Sequence, residues 1–136
     1  MEDSLAYALI QAVHNFGAAA AVGVPFFSLW PARVTQAVRA KLVRLLWVAW
    51  AVQLLSGLLF GAASLYYYGR LPELQLVATA ALFIKIACAA LGLVTTTLLV
   101  RAISRHEALR SDAAWWLLSA LGAIALVAAA FLRWFS

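Results

Sequence analysis

Charge is scarce in this chain: Asp, Glu, Lys and Arg make up 11% of its 136 residues and hydrophobic residues 67%, against roughly 25% and roughly 45–50% in a soluble domain. That scarcity excludes a soluble globular domain, and the mean hydropathy of +0.97 points the same way. Cysteine is rarer still. Cys88 stands alone inside an apolar run, which rules out an internal disulfide framework and a Cys-based metal knuckle. Met1 is the only methionine, which speaks against a thioether relay for soft copper(I). The five carboxylates, Glu2, Asp3, Glu73, Glu107 and Asp112, all lie at an end or between apolar runs. A carboxylate proton relay of the pump type is therefore not available. Internal repeats, low-complexity tracts and Gly/Ser linkers are missing as well.

What is present is four apolar segments, about Leu5–Trp30, Val43–Tyr67, Leu76–Val100 and Ala113–Leu132. At about 1.5 Å per residue each can cross a hydrocarbon core of about 30 Å. The first segment is preceded by Met1-Glu2-Asp3-Ser4, acidic where a secretory signal needs a basic leader, and its length exceeds that of a signal core. It is expected to be a retained helix. Short connections make consecutive helices antiparallel neighbours, so the expected fold is an all-α integral membrane protein, one domain over residues 1–136, built as an up-down-up-down four-helix bundle.

The net charge of +5 does not read as a nucleic-acid footprint, because the basic residues sit in short hydrophilic connections. Arg33, Arg39, Lys41, Arg44, Arg101, Arg105 and Arg110 fall on the side of the first and third connections, and Arg70 and Arg133 on the other. Seven against two places the first side in the cytoplasm and both termini outside. Trp30, Trp47, Trp115 and Trp116 at the inner ends, and Tyr7, Tyr66, Tyr67, Tyr68 and Trp134 at the outer ends, form the interfacial belts. Pro25 is expected to kink the first helix and Pro31 to end it. Gly57 and Gly61 form a GxxxG, read here as a packing device, and Ala-rich stretches allow close backbone approach.

His14 and Lys85 are the only ionisable side chains deep in the apolar runs. Such groups face a bundle interior and mark function. Each stands nine positions in from the outer end of its segment, about 13–14 Å below it, and the two segments run in the same direction, so the pair can meet inside the bundle. Gln11 and Asn15 flank His14 at helical spacing, and Gln53 and Ser56 lie one turn apart on the second segment. Polar groups from three helices thus converge on one layer, as a binding site or as interhelical hydrogen bonds. Imidazole suits a metal or haem ligand or a proton shuttle. Lys85 suits the neutralisation of a carboxylate or propionate, or it snorkels to the interface. His106 lies in the third connection and cannot share a haem with His14. Cys88, one turn from Lys85, is a weak second ligand or a small buried filler.

Taken together, His14-Asn15-Phe16-Gly17, Ser56-Gly57, Tyr68-Gly69-Arg70, Phe83-Ile84-Lys85-Ile86, Arg101 and Asp112 give a pattern over nearly the whole chain. It resembles the CopD membrane domain of copper-resistance and copper-uptake proteins and, more distantly, the HemJ type of protoporphyrinogen oxidase. Both families carry a histidine early in the first helix and a lysine in the third; Ala21 stands where both place a tryptophan. The resemblance implies a bacterial inner-membrane protein whose site between helices one and three handles haem b or copper. His14 would be the metal ligand, with Lys85, Gln11, Gln53 and Ser56 around the cofactor. No residue is assigned a catalytic role.

A second expectation, of another class, is a non-catalytic subunit of a larger membrane redox complex, adding packing surface and part of a quinone or lipid site. Its partners would be the bilayer, other membrane subunits or further copies of itself, and no nucleic acid. A small transporter has least in its favour, since no pair of broken helices or inverted repeat accompanies Pro25.

Overall fold

A hydrocarbon-facing backbone has no water to bond, so an apolar run of this length satisfies its N–H and C=O groups within itself and becomes a helix. In a computed structural model, which describes residues 2–29, 35–69, 74–105 and 112–135, the runs form α1 (Glu2–Leu29), α2 (Gln36–Tyr68), α3 (Leu76–Ser104) and α4 (Ala113–Trp134), with no strand among the described residues. All four are long and apolar enough to cross a membrane. The chain is an all-α membrane protein folded as a four-helix up-down-up-down bundle.

The helices outrun the apolar segments. Thr35 caps α2, its hydroxyl accepting from the Val38 N–H at 3.3 Å, so Arg39, Lys41 and Arg44 sit on helical backbone and not in a connection. Helical hydrogen bonds are as good in the headgroup region as below it, and a cap eight residues before Val43 moves the boundary outward. At the other end Gly69, with φ of 66°, supplies the left-handed residue that stops α2. Trp30, Pro31, Arg33, Arg70, Glu73, His106, Glu107 and Arg110 lie outside the described residues.

Each helix packs on two neighbours: α1 on α2 and α4, and α3 on α2 and α4. In cross-section the bundle is a square whose diagonals, α1 to α3 and α2 to α4, are spanned by side chains alone. On the α2–α4 diagonal, Arg39 Nη2 meets Asp112 Oδ1 at 3.1 Å beside the N-terminal ends of the two helices. Around the sides, Trp47 Nε1 donates to Thr97 Oγ1 at 3.0 Å between α2 and α3.

The apolar core is built around two tryptophans. Trp50 and Trp115 are each 1% exposed and pack with Val43, Leu46, Leu118 and Leu121. Two glycines make this possible. A side chain on Gly92 of α3 would run into the indole of Trp50, whose Cδ2 would lie 2.5 Å from its first carbon. On Gly122 of α4 it would lie 3.1 Å from the Ala21 carbonyl oxygen and 3.3 Å from Val22 Cα. Ala21 is four residues before Pro25, which has no N–H to offer that carbonyl. The freed oxygen faces bare Gly122. α1 and α4 are therefore close at position 21, and Trp50 fills the core from α2.

α1 carries Pro25 inside it and runs on to Leu29. One packing expectation changes. Gly57, read as half of a packing GxxxG, opens onto the outside of the bundle with nothing within 4 Å of an added carbon. The glycines that let helices approach are Gly17, Gly92 and Gly122.

Candidate functional site

Above the tryptophan core the interior changes from apolar to polar. α1 brings His14, α2 brings Gln53 and Ser56 one turn apart, and α3 sends Lys85 across the diagonal. His14, Gln53 and Ser56 are buried and Lys85 is half-buried. Because α1 and α3 do not touch by backbone, only a side chain with a long stem can close the gap. Lys85 Nζ stands 3.0 Å from His14 Nε2.

Both nitrogens of the imidazole have a polar neighbour. Ser56 Oγ donates its single hydrogen to the Val52 carbonyl one turn back, at 2.5 Å. Its oxygen is then an acceptor, and His14 Nδ1 lies 2.6 Å from it. A hydroxyl has one hydrogen to give; with it on Val52 and a charged Lys85, Nδ1 would carry the N–H and Nε2 would accept from the ammonium. A directed line would result: Lys85 Nζ–H to His14 Nε2, His14 Nδ1–H to Ser56, Ser56 O–H to Val52. Gln53 Nε2 donates to the His14 carbonyl at 2.6 Å, tying α2 to α1 at the same level. Gly17 keeps this contact open, since a carbon added there would lie 2.8 Å from Gln53 Nε2 and 2.9 Å from Val52 Cγ1.

Aromatic rings close the site toward the end of the bundle where α1 begins and α2 stops. Phe60 meets the His14 ring edge-on at 5.8 Å between centroids. Tyr7 stacks on Phe60 at 6.2 Å and on Tyr68 at 6.3 Å, with Tyr67 at 6.4 Å. The rings run unbroken from the imidazole to the tyrosine belt. Phe60 was not singled out in the sequence, although it is four residues after Ser56 and shares its helix face.

Gln11 is the sequence candidate that the fold takes elsewhere. It is exposed on α1 and donates to Asn15 Oδ1 at 2.7 Å. Three residues from His14 is about 60° of rotation round the helix, enough to turn its amide out of the bundle. Cys88 is 6% exposed and packs in the apolar core with Ala21, Trp50 and Ala89, the filler of the two readings. Among the described residues no three of His, Cys, Asp and Glu come together as metal ligands. Asp112, the carboxylate whose side chain is described, is held by Arg39. No family model, curated protein or solved structure matches the chain.

The layer therefore offers an imidazole held at Nδ1 by Ser56 and, 3.0 Å from its Nε2, the amino group of Lys85.

Proposed function

We propose that this small integral membrane protein, of CopD-like type, holds a redox cofactor in the outer half of the bilayer, with His14 as the iron or copper ligand and Lys85 as the partner of an anionic group on the cofactor. The observation that carries the reading is the line from His14 Nδ1 through Ser56 to the Val52 carbonyl. Metal-binding histidines are held in this way by their second nitrogen, which fixes the ring and leaves the other free to bind. Nε2 is available once the Lys85 ammonium turns from it to the anion.

Of haem b and copper, the residues fit haem b better. A porphyrin brings four nitrogens of its own and needs one imidazole from the protein, with propionates for an ammonium to neutralise. Copper would have to be held by one histidine without sulfur in the layer. When bound, the haem would supply one-electron transfer. The chain's own residues orient the ligand through Ser56, tie α2 to α1 through Gln53, balance charge through Lys85 and exclude water with Phe60 and Tyr7.

The expected outcome for protein purified in mild detergent is a Soret band with about one iron per site, lost in His14→Ala and weakened in Lys85→Met. Neither a Soret band nor stoichiometric copper would sink the reading. Full cofactor retention by His14→Ala would remove His14 from it.

The excess of basic residues near the first and third connections supports an inner-membrane orientation with both termini on the non-cytoplasmic side. Alkaline phosphatase fused after Trp134 should be active and the same enzyme fused after Arg105 inactive; the reverse pattern would invert the topology. The alternative role, an accessory subunit contributing part of a quinone or lipid site in a larger redox complex, draws on the exposed amides of Gln11 and Asn15, which point away from the chain's own core. Co-purification of a redox partner, with no cofactor bound to this chain alone, would favour it.

A further inference from the structure

The bundle turns large apolar side chains to the outside on every helix, such as Phe16 on α1, Leu55 and Leu58 on α2, Phe83 on α3 and Val127 on α4. Two amides on α1 interrupt that apolar surface. On α1, Gln11 and Asn15 are exposed one turn apart, and Asn15 is only one residue from buried His14. Asn15 is ten residues into the apolar run that starts at Leu5, about 15 Å from its end, too deep for so short a side chain to reach water. Gln11 Nε2 donates to Asn15 Oδ1 at 2.7 Å. That bond uses one hydrogen of one amide; the Asn15 amide hydrogens and the Gln11 carbonyl oxygen are given no partner by it. Hydrocarbon cannot supply one.

We propose that this face is a self-association surface on which a second copy of the chain docks, α1 against α1. Copies inserted by the same topology are related by a two-fold axis along the membrane normal, so every residue near the axis meets its own equivalent at equal depth. An amide is its own complement, with two donors and an acceptor. The Asn15 amide hydrogens of one copy can then donate to the Gln11 and Asn15 carbonyl oxygens of the other. An unrelated partner would have to present a matching polar group at the same depth; a second copy does so by necessity. Ala12, Ala19 and Gly23 are exposed on the same side, and a carbon added to Gly23 would meet nothing within 4 Å, so the two backbones can come close enough for short amides to bond. One polar pair in an apolar seam also fixes register. The inference stands apart from the cofactor reading, since His14 points inward and the amides outward.

The test uses the full chain in its native membrane with Cys88→Ala and one new cysteine at Ala19 on this face or, as control, at Val127 on α4. Oxidative cross-linking should give a covalent dimer from Ala19→Cys and at least ten times less from Val127→Cys. Adding Gln11→Leu and Asn15→Leu should lower the Ala19→Cys dimer at least tenfold. No dimer at Ala19, equal yields at the two positions, a cross-linked species whose mass is not twice that of the chain, or a dimer unchanged by the two leucines would each overturn the proposal. The Ala19-against-Val127 comparison leaves both amides in place, so it decides even if the leucine variants fold poorly.

Discussion

Gly92→Ala is expected to destabilise the bundle by about 3 kcal/mol, near the top of the range for overpacking a core. The added carbon would collide with the Trp50 ring, meeting Cδ2 at 2.5 Å and Cζ2 at 2.9 Å. Trp50 is 1% exposed in the core cluster with Leu46, Trp115 and Leu118. A rigid ring so enclosed has no neighbouring rotamer to adopt, so α2 and α3 must separate. The midpoint of unfolding in mixed micelles reads the loss. Trp50→Phe in the Gly92→Ala background should recover at least half of it, because the smaller ring makes room and gives up no hydrogen bond: Trp50 Nε1 has no partner among the described residues. A Gly92→Ala protein as stable as the parent would show that α2 and α3 are not in this contact.

His14→Ala should be the most damaging substitution in the polar layer, and for a reason that a second substitution can reveal. The Lys85 ammonium loses the acceptor at 3.0 Å and Ser56 Oγ loses its donor at 2.6 Å. Leaving such groups without partners costs about 1–3 kcal/mol, part of which Lys85 can avoid by extending its stem toward the interface. Lys85→Met removes the charge together with its need for a partner. The double variant His14→Ala, Lys85→Met should therefore be more stable than His14→Ala alone, with a coupling of about 1.5 kcal/mol in the double-mutant cycle. Strict additivity would mean that the two side chains do not interact in the membrane.

The four helices could be read from the chain because hydrocarbon admits few alternatives to helical backbone, and the lengths of Leu76–Val100 and Ala113–Leu132 leave little freedom. Their ends were less readable. A Thr35 cap and a Gly69 stop are local signals that hydropathy does not weigh. The meeting of His14 and Lys85 was readable for a similar reason: in parallel segments, equal distance from the outer end fixes equal depth, and depth is most of what a contact needs.

Rotation about the helix axis was the hidden coordinate. Gln11 and His14 share a depth range but not a direction, and Gly57 carries a packing pattern yet faces outward. Direction depends on which neighbours a helix has, and that is decided by Gly17, Gly92 and Gly122 together with the tryptophan that Gly92 admits. Phe60 went unremarked because a phenylalanine in an apolar run looks like any other lipid-facing residue until the ring it touches is known.

The two diagonal contacts have a mechanical meaning. Four rods joined only along their sides make a hinged frame, free to lean into a rhombus; one diagonal then shortens as the other lengthens. Here α1–α3 is tied at the His14–Lys85 layer and α2–α4 at the Arg39–Asp112 rim. Each tie resists being stretched, so leaning in either sense pulls against one of them, and the ties lie at different heights. The frame is braced in both senses. A change at the polar layer that loosens its tie leaves the α1–α3 diagonal without its polar brace while the Arg39–Asp112 contact still braces the other.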